Sequence, residues 1–123
     1  MSGPGVPAGW PPQVRPPDAP GWERTAVGWL LDLCPPDYRG YSVVTRQPVV
    51  LAWLAGHHLE GQLQATRRAL ATARADLSGA VPPPALRETL EAVEEELARV
   101  VAAQRALGLV AQALSGVRFV PRL

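Results

Sequence analysis

The chain has 123 residues, of which 47% are hydrophobic and 19% charged, and its formal net charge is +1. That length and balance fit one domain with a buried core. They exclude a strongly charged chain whose field would draw nucleic acid or an acidic membrane surface. The single cysteine, Cys34, cannot close an internal disulfide, which excludes a disulfide-stapled secreted domain and fits a reducing cytoplasm.

No charged n-region followed by an apolar h-region opens the chain, so no signal peptide is expected. No apolar run approaches the roughly 18 residues of a bilayer span, so a membrane is not expected as a partner. Lys, Asn and Ile are absent, while Ala, Arg, Pro, Gly and Leu abound. The three missing residues use AT-rich codons, so a GC-rich genome accounts for the bias. The all-Arg basic set is therefore no sign of phosphate recognition.

Residues 1–20, "MSGPGVPAGWPPQVRPPDAP", carry seven prolines and three glycines. Proline removes backbone donors and blocks helix interiors, so a disordered tail with polyproline II character is expected. Pro4 and Pro7 have the PxxP spacing of aromatic-groove ligands, a spacing common in any proline-rich tail.

A single helical domain is expected over 21–123. Trp22, Ala26, Trp29, Leu30 and Leu33 recur at helical spacing and predict a short helix over 22–34, stopped by Pro35 and Pro36. The stretch "PPDYRGYSVVTRQP" reads as an ordered loop with a turn near 37–40. A long helix is expected over 48–78, entered at Pro48 and ended near Gly79 as C-cap. Another is expected over 84–115, ended by Gly116. An extended tail follows over 117–123, with Phe119 and Val120 as apolar handles.

The two long helices each carry an apolar seam of heptad type. Ala52, Gly56, Leu59, Leu63, Thr66, Leu70, Ala73 and Leu77 form one. Leu86, Leu90, Val93, Leu97, Val100, Gln104, Leu107, Ala111 and Leu114 form the other. Folding back at "SGAVPPP" sets Leu77 against Leu86, Leu70 against Val93 and Gly56 against Leu107, all in one register. The same register brings Arg67 level with Glu96, Arg68 with Glu95, and Arg74 near Glu88 and Glu91. The fold class is thus all-α: a short Trp-rich helix on the open end of a long antiparallel hairpin. Trp53, Val101 and Val110 broaden the apolar surface at that end. The half near the proline loop keeps a narrow, uncovered seam.

Candidate chemistry is sparse. His57, His58 and Glu60 share a helical stretch, and His57 with Glu60 has a spacing found in metal-binding bundles, which also need carboxylates on facing helices. No Glu or Asp of the last helix lies level with them, and Arg105 falls opposite His58, so no cofactor is implied. Gly56 beside them is expected to serve close helix packing. Cys34 ends an apolar helix without a phosphate or oxyanion loop, which reads as a small buried hydrophobe rather than a nucleophile. In "PPDYRGY", Arg39 can pair with Asp32 or Asp37, and the tyrosines can close over the core. Glu91, Glu94, Glu95 and Glu96 read as a solvated face, with Glu95 supporting Arg99 at i, i+4. An Arg stripe, Arg67, Arg68 and Arg74, could meet nucleic acid, but the facing glutamates neutralise it.

The expected function is therefore non-enzymatic: a small interaction module that forms a homodimer or docks a protein partner along the hairpin, the alternatives being a metal-binding or enzymatic protein centred on His57, His58 and Glu60 and a nucleic-acid binder using the Arg stripe. Its anchors would be Trp22, Trp29, Tyr38, Arg39, Tyr41 and Trp53. The runs "GWLLDLCPPDYRGY" and "RFVPRL", with the Pro-capped long helix, resemble an uncharacterised family of small Arg-rich helical proteins from high-GC, actinobacterial-type bacteria. The resemblance covers 22–123 and implies a bacterial cytoplasmic protein with "PPDYRGY" as a signature. It implies no activity.

Overall fold

A computed structural model describes residues 6–117 and Phe119. It is all-helical, and no strand occurs among the described residues. Helix α1 spans Trp22–Asp32, a 3-10 turn spans Pro36–Gly40, and α2 spans Ser42–Arg46. The long helices α3, Pro48–Leu77, and α4, Pro83–Leu114, have 30 and 32 residues. At 1.5 Å per residue each runs about 45 Å or slightly more.

Local chemistry explains the boundaries. Gly21 takes φ 76° at the entry to α1, a conformation that strains any residue with a Cβ. The amides of Leu33 and Cys34 bond back to the Leu30 and Leu31 carbonyls before Pro35 ends the run. Pro48 and Pro83 each open a long helix, where their missing amide would be unbonded anyway. Gly116, at φ 93°, turns the chain out of α4. The expected C-cap at Gly79 is not formed. Ser78 is the capping residue in right-handed conformation, and the Ala80 and Val81 amides close on the Leu77 carbonyl. The stretch expected as loop after residue 40 instead holds the turn of helix α2.

The hairpin has the register read from the seams. A Cβ on Gly56 would meet the Leu107 side chain at 3.7 Å. Glu60 on α3 bonds Gln104 on α4, one step from the pairing expected. Leu51, Ala52, Ala55, Leu59, Leu107 and Val110 form the core with Ala26, Leu30 and Leu31 of α1 and Val44 of α2. Leu31 is a core residue that the face chosen from spacing omits.

The expectation of a disordered segment does not extend to residues 6–20. Val14 is 3% exposed and belongs to the core. The Trp10 indole donates to the Val14 carbonyl at 2.9 Å, and its ring lies 6.5 Å from that of Trp22. The Thr25 hydroxyl accepts from the Arg15 amide, and the Arg15 guanidinium donates to the Pro20 carbonyl. Turns such as Val14 to Pro11 and Ala19 to Pro16 use proline carbonyls as acceptors, which proline retains. Residues 1–5, with Pro4 of the PxxP pair, lie outside the described residues. So do Arg118 and 120–123 of the tail; Phe119 sets its ring 6.0 Å from Trp10.

The expectation that no stretch reaches membrane-spanning character needs amending for α4. By length and composition it is long and apolar enough to cross a bilayer, with a mean hydropathy of 1.2 over 18 residues. Its apolar side is in use inside the fold: Val100, Ala106, Leu107, Val110 and Ala113 are buried.

Candidate interaction surface

The six expected anchors divide into two groups. Trp22, Trp29 and Tyr38 are half-buried and pack against the core. Their apolar area is largely spent on holding α1 and the 3-10 turn to the hairpin. Arg39 donates from Nη2 to Asp32 Oδ1 at 2.8 Å, an exposed ion pair that contributes about 0–1 kcal/mol. Tyr41 and Trp53 stay open, 58% and 63% exposed. Val43 and Val49 are exposed nearby in sequence.

The histidines do not form a common site. The His57 ring stands edge-on to Trp53 at 4.9 Å, and the His58 ring edge-on to Tyr38 at 6.1 Å. Glu60 accepts from Gln64 and Gln104, each at 3.0 Å. These bonds, Gln64 first, and the more distant Arg67 hold its carboxyl below the usual carboxylate range. Among the described residues no three or more His, Cys, Asp or Glu gather as a metal site would require. Cys34 is half-buried; burial pushes its thiol up, against a smaller opposite pull from Arg39. A thiol so placed is protonated at neutral pH and a poor nucleophile.

The distal half of the hairpin differs from the open end. Leu70, Leu77, Leu86, Leu90, Val93 and Leu97 are half-buried, although the large seam residues Leu59, Leu63, Val100 and Leu107 are buried nearer α1; Ala73 is buried among the distal ones. Between the helices lies an open groove of about 400 Å³, lined by Ala65, Thr66, Ala69, Thr89, Ala92, Val93 and Glu96. The side chains facing it are small because α3 presents Ala65 and Ala69 one turn apart, with Ala92 across from them. Thr66 and Thr89 turn their hydroxyls back to the Gln62 and Ala85 carbonyls, leaving methyl groups as their free surface.

The charges beside this groove are not paired across the hairpin. Glu96 bonds Arg99 on its own helix, which lowers the Glu96 carboxyl and raises the Arg99 guanidinium. Among the described residues Arg67, Arg68 and Arg74 form no ion pair with α4, nor does Glu95 with Arg99. Register had brought the opposite charges level. Long exposed side chains gain too little from such pairs to offset their lost rotamer freedom. The uncovered seam here was legible in the sequence, but its alanine lining was not, because alanine at a helix surface carries no periodic signal.

No protein-family model, no curated protein and no solved structure matches this chain. The resemblance to the actinobacterial-type family stands on the quoted residues alone.

Proposed function

We propose that this chain is a small, non-enzymatic interaction protein of the cytoplasm. It docks another protein surface, a second copy or a partner, along the distal half of the hairpin. The observation that supports this most is the apolar groove between α3 and α4, flanked by seam leucines that are half-buried where Leu59, Leu63 and Leu107 are buried. Apolar surface of this kind, contiguous and rimmed by charge, marks interaction sites in soluble chains. Tyr41 and Trp53 at the open end offer a second, smaller contact of the aromatic type that dominates interface energies. The single cysteine of the chain fits a reducing compartment.

Site-specific photo-crosslinking in the producing cell tests this. A photoreactive residue in place of Ala69 or Ala92 should capture one discrete adduct, and one in place of exposed Arg24 should not. No adduct from either groove position, or the same diffuse products from all three, contradicts the proposal. The adduct mass separates a second copy from another protein.

A further inference from the structure

We infer that the occupant of the groove is a basic amphipathic helix of a partner protein, lying end-to-end with α1 as the missing third helix of the bundle. This inference rests on the interaction function proposed above and names the partner's chemistry.

The groove is the uncovered continuation of the face that α1 and the segment before it cover. On α4, Ala92 and Glu96 line the groove, and the same stripe at three- and four-residue spacing passes exposed Arg99, held by Glu96, and Ala103 to reach Ala106, Val110 and Ala113, which are buried. On α3, Ala69 and Ala65 continue through Gln62 to His58, which faces Tyr38 of the 3-10 turn, and to buried Ala55. The third layer therefore exists at the open end and stops. Beyond it the two-helix surface runs on for about 12 residues, or about 18 Å. An α-helix of three to four turns fits that length, and the small lining residues allow its axis to approach closely.

Charge selects the kind of helix. Glu88, Glu91 and Glu95 follow the outer edge of α4 beside the groove, all exposed and none in an ion pair among the described residues, while Arg99 on that edge is engaged by Glu96. The matching edge of α3 carries Arg68 and Asp76, which offset each other. The groove is thus acidic on one side and neutral on the other. A helix with an apolar stripe and basic flanks complements it, and an acidic one is repelled.

A second copy fits poorly for two separate reasons. Two-fold pairing about an axis along the hairpin would set Arg-rich α3 against Glu-rich α4, but it places both α1 layers at the same level on the same face, where they collide. Pairing about an axis across the hairpin avoids that collision. It sets α4 against α4, glutamates against glutamates.

Two designed 14-residue helical peptides test the inference on the full chain. They share an apolar stripe and differ in flanking Lys/Arg or Glu. Binding is followed by fluorescence anisotropy at two salt concentrations, and self-association by sedimentation. The basic peptide should bind at least about tenfold tighter than the acidic one and weaken with salt. The exposed double variant Ala69→Gln/Ala92→Gln should weaken it about tenfold with no change in helicity or melting. Glu88→Gln/Glu95→Gln should abolish the preference between peptides. Equal binding of both peptides, binding of neither, or binding indifferent to the groove variant overturns the inference. A wild-type dimer that the groove variant dissociates also overturns it, yet leaves the broader interaction function standing.

Discussion

The two ends of the hairpin are written in the same heptad pattern and finish in different states. At the open end, α1, α2 and the segment around Val14 close over Leu51, Ala55, Leu59 and Val110. At the other end Leu70, Leu86 and Leu90 hold equivalent seam positions and stay half-buried, with the smaller Ala73 buried among them. Two helices bury part of the seam between them, Ala73 and Val100 included, but the larger leucines of the distal half wait for a third layer. Pattern specifies which face is apolar; the supply of neighbours decides how much of it is buried.

Substitution at equivalent positions should expose this contrast most strongly. Leu59→Ala removes a fully buried side chain and should lower unfolding free energy by about 2–5 kcal/mol. Leu90→Ala removes one that water already reaches, and should lower it by about 1 kcal/mol. Denaturant titration measures both, and similar losses would erase the distinction between the ends.

Removal of residues 1–20 comes next in size. The loss of Val14 and of the Trp10 contact with Trp22 should lower stability by about 2–3 kcal/mol. A truncated chain as stable as the full one would show that the segment is not part of the third layer.

Gly56 offers a smaller change of opposite sign. An added Cβ would stand 3.7 Å from Leu107, an ordinary van der Waals distance, so helix packing does not require glycine there. Gly56→Ala should raise stability by up to about 1 kcal/mol through helix propensity. A loss on thermal melting would mean that the helices must approach more closely than this geometry shows.

The smallest effect is electrostatic. The Glu60 and Glu96 carboxyls are held below their ordinary range in the fold. Such groups stabilise the fold above the ordinary glutamate pKa, and the contribution is lost as pH falls through the lowered values. Melting temperature should therefore decline on acidification across that window. Glu60→Gln should reduce the slope, and an unchanged slope would remove Glu60 from the account.

Much of the fold was legible because apolar side chains at three- and four-residue spacing report a buried face directly. The fold-back register followed from matching two such seams, and the contact of Gly56 with Leu107 carries it. What stayed hidden lacked that periodicity. The seating of residues 6–20 depends on Trp10 and Val14, four apart in a run dominated by proline; that apolar pair was the one available signal. The expected ion pairs between α3 and α4 failed because level placement does not fix exposed side chains. Of the expected anchors, Trp53 and Tyr41 remain open, while Trp22, Trp29 and Tyr38 serve the core. The distal groove was foreshadowed as an uncovered seam. Its alanine lining became visible in the packed hairpin.

Amide hydrogen exchange on the isolated full-length chain tests the central contrast most directly. Slow exchange, limited by global unfolding, is expected across 51–63 and 100–113, and faster exchange by local opening across 66–77 and 86–97. Uniform protection along both long helices would contradict it, because the distal half would then need no third helix.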